Sequence, residues 1–159
     1  PEPVEGPNTH TPVRKPDGND MGSFELIEHT ADLGVVGRGD TLTEALEWVA
    51  TGMLGFMADL DQVRERETVS LSIAASDREA LAVDWLNELL YRFEADGFLP
   101  KRLEVTVNDD GTALDATCVG EVVTVRSMDV RAAVKAATYH SVEVVQDGGG
   151  WRIRVYLDI

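Results

Sequence analysis

Apolar residues along the chain recur with two spacings, and the switches between them mark the elements. Phe24 to Ile27 and Leu33 to Val36 are apolar, strand-like runs. Between them lies Glu28-His29-Thr30-Ala31-Asp32, too polar to join either run, so it reads as a strand-to-strand turn. Thr41 and Glu44 then have capping-box spacing, and Leu42, Ala45, Leu46, Val49, Met53, Phe56 and Met57 follow at helical intervals. Asp59 to Glu67 reads as a charged linker, and Thr68 to Ala74 as a strand with Val69, Leu71 and Ile73 on one side. Ser76 and Glu79 repeat the cap pattern. The apolar stripe Ala82, Trp85, Leu86, Leu89, Leu90 and Phe93 predicts a second helix, ended by Gly97 and Pro100. Asp84, Asn87, Glu88 and Arg92 lie off that stripe and are expected on a solvated face.

Period two dominates the remainder. Leu103, Val105 and Val107 alternate up to the hairpin-type turn Asn108-Asp109-Asp110-Gly111. Ala113 to Val125 and Val134 to Gln146 read as further strands, with Gly120 a candidate bulge and Gly148 to Gly150 a turn. In the last run Trp151, Ile153, Val155, Leu157 and Ile159 face one way, and Arg152, Arg154, Tyr156 and Asp158 the other. The pattern predicts an α+β fold: one compact domain, mostly antiparallel sheet, with two main amphipathic helices.

Composition sharpens this. The 159 residues suit one domain, and a 43% hydrophobic content suits a packed core. Residues 1–22 read as a disordered Pro-rich extension and 23–159 as the domain; the first twenty residues hold five of the six prolines, and Met21 stands as an alternative start. A single cysteine, Cys118, excludes an internal disulfide and is expected to pack as a small apolar residue. No apolar run spans a bilayer and no secretory pattern opens the chain, so a cytoplasmic protein is expected. The formal charge is −15. Such acidity opposes direct binding of a phosphate backbone, although it would also suit a high-salt cytoplasm, where charges are screened within about 3 Å.

Phosphate-loop, nucleophile-elbow, HExxH, EF-hand and CxxC motifs are all missing. What remains is oxygen. Asp158 and the carboxylate of Ile159 would stand side by side at the end of a strongly patterned strand, where like charges repel unless compensated. Hard divalent cations, Ca²⁺, Mg²⁺ or Mn²⁺, take such ligands, and Asp32 is the candidate third carboxylate. Two alternatives stand beside this: Asp32 as a solvated turn residue, and Asp158 paired with Arg154 on its own strand face. The metal reading requires that Asp32 and the end of the last strand meet around one ion.

Four separated motifs resemble the archease family: Glu28-His29-Thr30-Ala31-Asp32, Val83-Asp84-Trp85-Leu86-Asn87-Glu88-Leu89-Leu90-Tyr91, Val134-Lys135-Ala136-Ala137-Thr138-Tyr139-His140, and Leu157-Asp158-Ile159. The resemblance covers Phe24 to Ile159. It departs between Glu121 and Val130, where the connection is short and a histidine often found in the family is absent. The resemblance implies a non-catalytic protein cofactor of the RtcB-type tRNA-splicing RNA ligase, promoting its guanylylation and multiple turnover. It implies metal ligands at Asp32, Asp158 and Ile159 (through its carboxylate). His29, Lys135 and His140 are candidate supporting or partner contacts, beside plainer readings: His29 as a structural histidine, His140 as a core or surface residue, and Lys135 in an ordinary salt bridge. A stand-alone metal-dependent hydrolase and a chaperone-like module for nucleic-acid enzymes are the alternatives. The expected partner is the ligase itself, with no nucleic acid bound directly and no membrane.

Overall fold

The final strand, the most regular in pattern, ends up inside a sheet rather than at its edge. In a computed structural model describing residues 22–28, 32–124 and 132–159, nine main elements follow in order. They are β1 (Gly22–Glu28), β2 (Asp32–Gly39), α1 (Leu42–Met57), β3 (Glu67–Ala74), α2 (Arg78–Asp96), β4 (Phe98–Val107), β5 (Ala113–Val122), β6 (Ala136–Asp147) and β7 (Gly150–Asp158). Among the described residues the strands form two antiparallel sheets, β1-β2-β7-β6 and β3-β5-β4. No described helix is long and apolar enough to cross a membrane. Residues 1–21, 29–31 and 125–131 lie outside the described residues, and with them fall the Pro-rich extension up to Met21, His29 and most of the divergent connection; Gly22, placed in the extension by the sequence, is the first residue of β1.

The helices pack on one face of the four-stranded sheet, and α1 also reaches β4. Ile153, Val155 and Leu157 of β7 are fully buried beneath them, as are Leu33 and Val35 of β2. A Cβ on Gly37 would fall against the backbone of Val49 and Ala45, so glycine lets α1 lie directly on β2. Trp85 Nε1 donates to the Leu46 carbonyl at 2.9 Å, tying α2 to α1 inside the core. Glu47, buried on α1, accepts from the Val105 N–H at 2.9 Å and ties α1 to β4.

Local signals set most boundaries. Thr41 Oγ1 accepts from the Glu44 N–H at 3.1 Å, and Glu44 reaches back to the Asp40 N–H at 3.1 Å. The second cap differs from expectation. Asp77, not Ser76, caps α2, accepting from the Ala80 N–H at 2.7 Å, because its carboxylate stands three residues before a free amide. Gly97 ends α2 in the left-handed conformation, φ 72°, and Pro100 falls within β4 rather than in a loop.

The charged linker contains a 3-10 turn, Leu60–Gln62, and its last residue, Glu67, already belongs to β3. The irregularity assigned to Gly120 lies on the opposing strand, between Pro100 and Arg102. β5 stops at Val122 and β6 begins at Ala136, each shorter than the pattern predicts. Ile159, expected to face the core, is 46% exposed because it lies beyond the strand.

The predicted solvated face of α2 is partly an interface. Asn87 bonds the backbone of Ala137 in β6 twice, and Asp84 accepts from the Tyr139 hydroxyl. Glu88 and Arg92 form an ordinary i,i+4 pair at 3.2 Å.

A carboxylate pair at one end of the four-stranded sheet

β2 begins and β7 ends at the same level, and the antiparallel register sets Asp32 directly opposite Asp158. Side chains alternate along a strand. The next pair inward, Leu33 and Leu157, points into the core, so both aspartates project from the opposite, helix-free face. Directly opposed residues hold their Cβ atoms about 5 Å apart. Asp158 is exposed and Asp32 half-buried. Like charges opposed in this way destabilise a sheet unless something neutralises them.

Neither carboxylate has an ion-pair or side-chain hydrogen-bond partner among the described residues. The Asp158–Arg154 pairing weighed from the sequence does not form. Arg154 instead engages Glu143 at 2.6 Å and the Ser141 carbonyl at 3.1 Å, and it lies over the Tyr156 ring at 5.4 Å.

β6 completes the sheet end. Ala136 is the register partner of Asp158, and the Lys135 N–H donates to the Asp158 carbonyl at 2.8 Å. Asp158 is thus held from both sides, by β2 and by the start of β6. The Lys135 side chain is exposed at this end, without an ion pair among the described residues.

His140 is not brought to the pair. It sits on an irregular part of β6, where the strand takes five steps from Thr138 to Glu143 while β7 takes two from Tyr156 to Arg154. Within it Ser141 adopts φ 57°, and Tyr139 and His140 are exposed. The Asp84 carboxylate raises the Tyr139 phenol above its ordinary value by accepting its proton in a hydrogen bond, with burial a smaller cause.

The donor set suits a hard cation. Two unpartnered carboxylates share one face at an accessible sheet end, and Ile159 follows the second directly. No group of three His, Cys, Asp or Glu side chains stands together among the described residues. Asn87 is the residue that sequence reasoning misplaced. Its signal was present, as a short amide side chain within the Val83–Tyr91 motif, but a helix periodicity cannot tell a solvated polar face from one docked on a strand.

These features define an α+β domain of two antiparallel sheets around two helices, with an opposed pair of carboxylates at one sheet end. The sequence profile of the Archease protein family matches residues 24–159, and the chain belongs to that family. It is 33% identical over 139 residues to the protein archease of Methanosarcina mazei, covering 86% of this chain and 95% of that one. It is 32% identical over 140 residues to a Drosophila melanogaster protein archease-like, covering 86% and 90% of the two chains. The solution structure of a Methanobacterium thermoautotrophicum protein superposes with a TM-score of 0.74 at 34% identity, covering 86% of this chain and 98% of that one.

Proposed function

We propose that this chain is a non-catalytic, metal-binding protein cofactor that activates an RtcB-type tRNA-splicing RNA ligase, promoting guanylylation of the ligase and its multiple turnover. The observation that carries the reading is the direct opposition of Asp32 and Asp158 on adjacent strands. The Ile159 carboxylate is the third ligand of this reading, and the three would hold Ca²⁺, Mg²⁺ or Mn²⁺ through hard oxygens. A cation held there supplies positive charge toward nucleotide phosphates. What the chain contributes is position. Two paired strands hold the carboxylates at an exposed end, so they can be set against a partner without opening the fold. Lys135 stands at the same end for contact with the ligase or a phosphate, His140 lies further along β6, and His29 falls outside the described residues.

The acidity of the chain favours a basic ligase face over RNA itself.

The test is ligase, GTP and Mn²⁺, with and without substoichiometric amounts of this protein, scored for covalent guanylate over several turnovers. Stimulation by the wild type is expected to fall more than about ten-fold with Asp32→Ala, with an unchanged circular dichroism spectrum. Equal stimulation by the variant would remove Asp32 from the site. Phosphate release without ligase would favour the hydrolase.

A further inference from the structure

β6 is an edge strand of the four-stranded sheet, and the outer side of an edge strand presents backbone N–H and C=O groups with no strand partner. Asn87 on α2 partners them at one residue. Its Nδ2 donates to the Ala137 carbonyl at 3.1 Å, and its Oδ1 accepts from the Ala137 N–H at 2.8 Å. One amide side chain thereby takes the place of a neighbouring strand residue, satisfying both backbone groups of Ala137 on the side away from β7. The two residues before Ala137 are those that touch Asp158: Ala136 is its register partner, and the Lys135 N–H bonds its carbonyl. Two residues after Ala137, Tyr139 donates to Asp84, one helical turn before Asn87. Past that point the β6–β7 pairing loses register, so the start of β6 is a short paired stretch, Ala136 to Thr138, with α2 bonded to Ala137 inside it and to Tyr139 just beyond.

We infer that Asn87 is a positioning residue for the carboxylate pair. Its two bonds to Ala137 fix the start of β6, which in turn holds Asp158 level with Asp32. The inference rests on the metal reading above and adds to it a residue that touches neither ligand. The inward-facing Leu157 is fully buried, so β7 is already clamped along the strand; only the last residue, Asp158, relies on β6 and β2 without a core side chain of its own.

The experiment uses the full chain and Mn²⁺ alone as the probe, with affinity read by calorimetry and backbone order by amide hydrogen exchange. Asn87→Ala is expected to bind Mn²⁺ about ten-fold more weakly than wild type, as loss of outer-shell support does elsewhere. The Lys135 and Ala137 amides should exchange faster while those in the core of β7 do not. Asn87→Gln, which keeps both amide groups on a longer stem, should recover part of the affinity and covers the case in which Asn87→Ala does not fold. Val105→Ala, a core change in the other sheet, should lower stability and leave affinity unchanged. Wild-type affinity in Asn87→Ala, with fast exchange at Ala137, would overturn the positioning role and leave the metal reading standing. Wild type that binds no Mn²⁺ would overturn the metal reading, and the inference with it.

Discussion

Cys118 lies fully buried in β5, and burial pushes its thiol up to about 12 from 9.0, only partly opposed by Arg92. The folded-state value is raised, so the thiol's contribution is whole below about pH 9 and is lost as pH rises toward about 12. The urea stability of the wild type relative to Cys118→Ala should therefore shrink across that window by up to about 1.4 kcal/mol per pH unit. A flat difference would show that the unfolded chain does not ionise this thiol more readily than the native one. Reaction with a thiol reagent at pH 8 should likewise follow global unfolding. The apolar role of Cys118 was legible, since a single cysteine has no disulfide partner in its chain. The buried Glu47 was not. In the sequence it is one more acidic residue on a helix. Its bond to the Val105 N–H, made between α1 and β4 in the folded chain, is part of how a carboxylate stands in the core.

Capping and turn chemistry carry the elements. Gly97 was legible as a helix stop because glycine alone accepts the left-handed turn without strain. Gly97→Ala should cost about 2 kcal/mol, from a φ of 72° and a Cβ falling 2.7 Å from the Val123 carbonyl. The expected sign is a lower urea midpoint, and an unchanged midpoint would show that the left-handed turn carries no strain in alanine. The α2 cap was misplaced by one residue, because Ser76 and Asp77 are both good caps and the choice depends on how the chain leaves β3. The polar face of α2 was misjudged for a related reason. Asp84 and Asn87 look like solvated positions until β6 is laid against them.

At the scale of the molecule, sheet order is what joins the start of the domain to its end. β7 inserts between β2 and β6, so residues 126 positions apart in the chain become register partners. Binding there should be felt globally. Mn²⁺ at 100 times its dissociation constant should raise stability by about 2.7 kcal/mol, read as an upward thermal shift. A C-terminal extension, which turns the Ile159 carboxylate into a peptide bond, should reduce that shift without altering the spectrum of the folded chain. An undiminished shift would leave the ion to Asp32, Asp158 and water. Net charge belongs to this scale too. Without residues 1–20 the chain still holds 25 acidic against 12 basic residues, so the acidity is not confined to the Pro-rich stretch.

The sequence by itself determined the α+β class, the two helices, the alternating strands and the types of ligand atom on offer, because periodicity, caps and side-chain chemistry are local properties. Only the tertiary structure decided that Asp32 faces Asp158 and that Asn87 grips the edge of β6. Strand order and register come from how buried faces are shared across the whole core, and no short stretch of chain contains that information.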